Sequence, residues 1–371
     1  MIYLDNAATT LRKPPEVASA MRRALENCGG AGRGGHAAAA RAAQEIYQCR
    51  EAAAGLFHMK DPARVILTAN ATQALNLAIK GLAGPGARVL ISGFEHNAVT
   101  RPLAALGAQG VKTVILPTPL FEPEMALHLF EEALSDGGAA LCVCIHVSNV
   151  FGYVLPVERI AALCRDKGVP LIVDASQSAG ILPIEGDSGP IWCMPGHKGL
   201  YGPQGTGMLL LPPGMELPPQ CHGGTGGNSR SPDMPSFYPD RLEAGTHNAP
   251  GAAGLAAGIR FVKKKGNGRA DSALLKRAAD LLSVIRGVRV YTAPHFFCQT
   301  GVVSFTVRED DSEWAADALS EQGIAVRGGL HCAPLAHKTA DTFEKGAVRV
   351  SLSHFTAPKD IDALARAVAK I

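Results

Sequence analysis

From about Thr10 to Pro212, short β-branched runs alternate with longer stretches of helical spacing. The strand-like runs are Val65 to Thr68, Val89 to Ser92, Thr113 to Leu116, Leu141 to Val147, Pro170 to Asp174, Ile191 to Cys193 and Met208 to Leu211. Between them lie segments such as Thr72 to Leu82 and Val157 to Lys167, where apolar residues recur three and four positions apart. Short apolar runs separated by helices are what a mostly parallel sheet covered on both faces requires. The expected fold is therefore α/β, with its sites at the carboxyl ends of the strands.

A Gly/Pro/Ser-rich segment, Pro212 to Pro250, breaks this rhythm. After it the pattern predicts helices over Gly251 to Lys265 and Asp271 to Arg286, a strand over Val302 to Val307 and a helix over Ser312 to Gln322. A strand over Arg349 to Leu352 and a last helix over Ile361 to Lys370 complete a smaller α+β unit.

Composition narrows the class. Apolar residues make up 47% of the 371, enough for a real core and too many for a disordered chain. The balance of 36 basic against 33 acidic residues leaves +3, too even for a nucleic-acid footprint. Nine cysteines without a C-x-x-C are no disulfide framework and suit a reducing compartment, and Cys142 and Cys144 read as part of a buried strand. No signal-peptide pattern opens the chain and no run of about 18 apolar residues occurs, so a cytoplasmic protein without a membrane span is expected.

Four strand-end windows carry chemistry. Pro195 to Gly207 sets His197 and Lys198 among glycines and prolines; a lysine desolvated there is able to form a Schiff base. Taken alone, Lys198 reads more simply as an exposed lysine on a flexible surface loop. Asp174 closes an apolar strand, either facing the crevice as partner to a cationic ring nitrogen or capping the next helix. Glu95-His96-Asn97 places an imidazole at another strand end, and Thr68 to Ala74 runs into a helix whose start, at Ala71 and Thr72, suits a phosphate. A lysine, an acid, an imidazole and a phosphate cradle in this order describe a pyridoxal 5'-phosphate (PLP) site.

With those windows in place, the chain resembles the cysteine desulfurases of the class V aminotransferase family, over essentially its whole length. Tyr3 to Thr10 is similar to that family's N-terminal signature, and His146 to Gly152, Gly196-His197-Lys198 and Arg241 to Thr246 to its internal blocks. The resemblance implies PLP fold type I: a large, mostly parallel seven-stranded sheet domain over 12–250 and a small domain from 1–11 with 251–371. It implies Lys198 as the Schiff-base lysine, Asp174 on the pyridine nitrogen, His96 on the ring and Gln177 at its phenolic oxygen. Ala71, Thr72, His197 and, from a second subunit, Thr246 would hold the phosphate, which implies a homodimer. Arg327 to Pro334 is similar to the loop bearing the sulfur-accepting Cys332, and Arg349, with Asn149, would hold the carboxylate of L-cysteine.

The implied reaction converts L-cysteine to L-alanine and leaves a persulfide on Cys332; a selenocysteine lyase or another C–S lyase would use the same residues. No resident metal is expected. The short spacing from Cys332 to Arg349 resembles the short-loop group, which passes sulfur to a dedicated acceptor. Iron–sulfur cluster assembly, tRNA thiolation, cofactor sulfuration and selenium metabolism all draw on this scaffold. Pro195 and Ala71 stand where the family often has hydroxyl residues, which predicts weaker PLP retention by on the order of one hydrogen bond each. Leu330 stands where a polar residue is frequent, which would alter how Cys332 is activated. Cys221 to Asn228 reads as a glycine-rich loop near the dimer interface.

Overall fold

The structure is a computed structural model that describes residues 1–32, 34–227, 229–266, 272–308 and 310–371. Its strands are β1 (Ile2–Tyr3), β2 (Val65–Thr68), β3 (Arg88–Ser92), β4 (Lys112–Leu116), β5 (Ala139–Ile145), β6 (Leu171–Asp174), β7 (Ile191–Pro195), β8 (Gly207–Leu210), β9 (Val288–Tyr291), β10 (Val302–Val307), β11 (Ile324–Ala325) and β12 (Val348–Ser351). The helices are α1 (Pro15–Asn27), α2 (Ala37–Leu56), α3 (Ala71–Leu82), α4 (Asn97–Leu106), α5 (Pro123–Ser135), α6 (Val157–Asp166), α7 (Ala249–Lys265), α8 (Ser272–Ser283), α9 (Ser312–Glu321), α10 (Pro334–Thr339) and α11 (Pro358–Val368). Asp271, the expected first residue of α8, lies outside the described residues.

Seven strands form one sheet in the order β2-β8-β7-β6-β5-β3-β4. β4, β3, β5, β6 and β7 run parallel, and β8 is antiparallel to both β7 and β2. This is the mostly parallel seven-stranded sheet that was expected. The apolar runs read as strands because both faces are covered, and alternate side chains feed two cores. On β5, Cys142 and Cys144 join the core under α2, α5, α6 and α7, while Leu141 and Val143 join the one under α3 and α4.

The smaller unit is an antiparallel sheet, β12-β10-β9, packed on α8, α9 and α11 through Leu275, Phe305, Leu319, Val350 and Leu364. β1 pairs in parallel with β11, and Leu4 enters that same core, so the N-terminal residues sit with the smaller unit. The expected division after residue 250 falls at the start of α7. That Ala/Gly-rich helix is buried on nearly every face and packs against α1 and α2; Leu255, Ala256 and Ile259 belong to the larger core. At its other end Phe261 packs on His354 and Phe355, beyond β12, so α7 touches both units. A Cβ at Gly258 would collide with the Leu200 carbonyl, and this close approach seats α7 behind the turn that carries Lys198. Among the described residues, no helix is long and apolar enough to cross a membrane.

Candidate active site

The strand ends of the parallel sheet deliver the reactive groups. β6 closes on Asp174, which is 1% exposed and accepts the Ser176 N–H at 2.9 Å. β3 closes on Ser92, and the following turn carries Glu95 and His96. His96 caps α4: its Nδ1 accepts the Ala98 N–H at 3.0 Å, which assigns the ring proton to Nε2. Burial, against the pull of Asp174, pushes its pKa down to about 4, so the ring is uncharged at neutral pH.

β2 leads into α3, where Asn70 caps the helix by accepting the Gln73 N–H. Ala71 and Thr72 occupy its first turn, where N–H groups have no intrahelical partner and favour an anion. β7 closes on Pro195, and the chain turns through Gly196 and His197 to Lys198. His197 is held by Thr9 Oγ1 at 3.0 Å from Nδ1, and burial pushes its pKa down to about 4.

Thus Ala71, Thr72, His96 and Asp174 line one cavity, and Asn149, His197 and Lys198 line it with them. Gln177 borders an adjoining cavity that also reaches Lys198, and its Nε2 donates to Ala7 O at 3.0 Å. Thr246 is not among them. It lines a separate cavity with Thr68, Gln73 and Cys221. Cys221 is exposed, and Asn228, at the far end of its loop, lies outside the described residues.

Cys332 and Arg349 are tied to the rim by backbone contacts. Asn97, next to His96, donates its N–H to Cys332 O at 2.8 Å, and Asn149 Nδ2 donates to His331 O at 2.8 Å. Arg349 is 2% exposed; Nη1 donates to Asn149 O at 3.0 Å and Nη2 to Asp5 Oδ1 at 2.7 Å. Arg349 Nε and Asn149 Oδ1 are buried without a hydrogen-bond partner among the described residues. Cys332 itself is exposed, and both it (φ 55°) and His331 (φ 52°) adopt left-handed backbone, which non-glycine residues rarely hold unless their surroundings enforce it.

Other supporting residues were not assigned from the sequence. His331 Nε2 faces Arg327 O at 3.1 Å, His331 Nδ1 faces His337 Nε2 at 3.4 Å, and His337 Nδ1 faces Thr342 Oγ1 at 2.7 Å. Burial pushes these imidazoles down to about 2 and about 4, so an uncharged chain of hydrogen bonds braces the loop from behind. Glu95 is fully buried; Oε1 accepts from Ser92 Oγ and from the Ile145 N–H, which ties the ends of β3 and β5 together beside Asp174. Burial pushes its carboxyl up to about 8, so it is largely a neutral acid at neutral pH. The Glu95-His96 window carried this signal only as an acid next to a ring.

Burial also lowers the pKa of Lys198 from 10.5 to about 8, against the opposing pull of Asp174. Only the unprotonated amine attacks an aldehyde, and that form accumulates as pH rises through the pKa. The rate at which apoprotein takes up added PLP is expected to climb with pH around a midpoint near 8. A midpoint near 10, followed by absorbance in stopped flow, would show that Lys198 behaves as an exposed amine.

Residues 2–364 match the family model described as Aminotransferase class-V. A probable cysteine desulfurase of Methanothermobacter thermautotrophicus is 30% identical, with the alignment covering 100% of this chain and 94% of that protein. An apo cysteine desulfurase from Thermococcus onnurineus NA1 superposes with a TM-score of 0.91 at 28% identity, covering 100% of this chain and 94% of that one. The cysteine desulfurase CsdA from Escherichia coli, solved as an S-sulfonic acid, superposes with a TM-score of 0.85 at 26% identity and the same coverage. Family model and relatives extend across both units of the fold and the Cys332 loop, so the chain belongs to the class V aminotransferase family.

Proposed function

We propose that the protein is a PLP-dependent cysteine desulfurase that converts L-cysteine to L-alanine and takes the sulfur on Cys332. The observation that carries this reading is the convergence of Lys198, Asp174 and His96 on one cavity, with Cys332 and Arg349 anchored to its rim through Asn97 and Asn149.

The donor set suits PLP. A buried lysine with a lowered pKa, a buried acid, an uncharged imidazole and a helix start meet the aldehyde, ring nitrogen, ring face and phosphate in turn. Gln177 donates to Ala7 O and retains a second N–H for the phenolic oxygen. When bound, the cofactor supplies an electron sink for the α-carbon of an amino acid. Thr246, which lines a different cavity from Lys198 in its own chain, is assigned to the phosphate of a second copy in a homodimer.

Arg349 binds the substrate α-carboxylate. Its buried Nε has no hydrogen-bond partner among the described residues, an arrangement that costs about 1–3 kcal/mol until an acceptor arrives. Lys198 takes the α-proton. Cys332 Sγ, as thiolate, then attacks the substrate sulfur: the S–S bond forms, the Cβ–S bond breaks with its electron pair going to carbon, Cβ takes a proton, and Lys198 returns a proton to Cα. L-Alanine leaves, and the persulfide stays on an exposed loop from which an acceptor protein is able to collect it.

The test is a product assay on purified, PLP-loaded protein with L-cysteine, with and without a reductant. L-Alanine and one added sulfur on Cys332, mapped by mass spectrometry, are expected. Alanine without sulfur on Cys332 would remove that residue from the mechanism, and turnover of L-selenocysteine alone would make the enzyme a selenocysteine lyase.

A further inference from the structure

The N-terminal signature, Tyr3 to Thr10, supplies no reacting group. In the structure it is a strap from the smaller unit to the larger that touches three functional groups in turn. Asp5, bridged to Ser351 of β12, holds Arg349 Nη2. Ala7 donates its N–H to Ser351 Oγ at 2.8 Å and receives the Gln177 amide on its carbonyl. The carbonyl of His197, the residue before Lys198, accepts from the Thr10 N–H at 3.1 Å, Thr10 Oγ1 at 3.0 Å and Lys13 Nζ at 3.0 Å.

The strap is itself braced. Tyr3 Oη faces Thr9 O at 2.9 Å and Asp5 O at 3.1 Å and shares its one proton between them, and Asn6 Nδ2 donates to Ser351 O at 2.8 Å. Asp5 therefore approaches Arg349 from a fixed backbone. It meets the guanidinium by one hydrogen bond from Nη2, while the Asn149 carbonyl takes Nη1 and Nε stays buried and unpaired. A guanidinium gripped at both terminal nitrogens cannot rotate, so the direction in which Nε–H points is set by the protein before any ligand arrives.

We propose that Asp5 is a positioning residue: it aims Arg349 at the α-carboxylate of the substrate and so carries the preference for a ligand with that group. The inference rests on the reading of Arg349 as the carboxylate-binding residue. An acid is suited to the task because a guanidinium removed from water needs a counter-charge when no ligand is bound. A single contact from Asp5 leaves donors for a second carboxylate.

The test uses the PLP-loaded enzyme and the variants Asp5→Ala, Asp5→Asn and Arg349→Ala. L-Alanine and ethylamine, the same amine without its carboxylate, are titrated by the change in cofactor absorbance, and kcat and KM are measured for L-cysteine. Asp5→Ala is expected to weaken L-alanine and raise KM by about tenfold or more, the scale of one hydrogen bond to a charged group, with kcat changed by less than about threefold. Ethylamine affinity stays as in the wild type. Asp5→Asn keeps an acceptor at the same place without the counter-charge and should recover part of the loss, with a KM between those of the wild type and Asp5→Ala.

Equal losses for L-alanine and ethylamine in Asp5→Ala would make the strap a general structural clamp and overturn the proposal. So would an unchanged KM. If Arg349→Ala binds L-alanine as well as the wild type does, the reading of Arg349 fails instead. A weakened Arg349→Ala beside an unaffected Asp5→Ala sinks the role of Asp5 alone.

Discussion

Replacing Cys332 with serine is expected to lower L-alanine formation from L-cysteine by about three orders of magnitude or more, the scale on which loss of a covalent nucleophile is felt. Serine keeps the shape of the side chain, but its hydroxyl is not ionised at neutral pH and its oxygen is a poor acceptor for sulfur. The substitution changes one atom that the loop does not use to hold itself. The anchors are the Asn97 N–H on Cys332 O, the Asn149 amide on His331 O and the His331 ring on Arg327 O, all on backbone or on other side chains. PLP content, melting temperature and absorbance should therefore match the wild type, and the lost rate reports chemistry. Cys221 is the control, because it is the other exposed cysteine among the described residues. Cys221→Ser should keep alanine formation. A Cys332→Ser enzyme retaining more than about a tenth of the wild-type rate would remove Cys332 from the sulfur-accepting role.

What the sequence disclosed follows from how far apart the contributing residues lie. Strand and helix at each end of the sheet are local, so the apolar run of β5, the run into Asp174 and the helix start at Ala71 were readable from a few neighbouring positions. β9 was not: Val288, Arg289, Val290 and Tyr291 alternate as a strand should, but four residues are too few for the pattern to stand out, and the pairing with β10 that makes them a strand is not local. β1 and β11 are two residues each and exist only as each other's partners. The side chains that brace the site are long-range pairs: Asp5 reaches Arg349 across 344 positions. The Tyr3 to Thr10 block was visible as a signature, but nothing local states that its acid meets a buried guanidinium. Likewise the left-handed backbone at His331 and Cys332 is imposed by contacts from Asn97, Asn149 and Arg327, not by glycine at those positions.

The same logic applies at the sheet edge, where replacing Arg50 with alanine is expected to destabilise the fold by about 3–5 kcal/mol. β2 is an edge strand, with β8 as its one neighbour in the sheet, and its outer backbone groups face no ladder. Arg50 and Glu243 take the place of one. Arg50 Nη1 donates to Val65 O, Glu243 Oε1 accepts the Leu67 N–H at 2.6 Å, and the two side chains pair through both nitrogens and both oxygens. With the side chains only 7% and 4% exposed, neither charge has water as an alternative partner. Burial alone would push the Glu243 carboxyl up, but hydrogen bonds from His247 and Arg50 hold it below its ordinary value. Removing Arg50 leaves a buried carboxylate with His247 as its remaining side-chain partner and leaves Val65 O unpaired, which is why the loss exceeds that of a surface pair. Arg50→Lys keeps the charge but not the two-pronged grip, and should lose less, about 1.5–3 kcal/mol. Urea denaturation followed by circular dichroism measures both. A loss below about 1 kcal/mol for Arg50→Ala would rank the pair with exposed ion pairs and show that β2 is held by its ladder to β8 alone. Glu243 lies three residues before Thr246, so the network that closes the edge also fixes the start of the segment assigned to the second copy's phosphate. Weaker PLP retention in Arg50→Ala at temperatures where the fold remains intact is the expected companion effect.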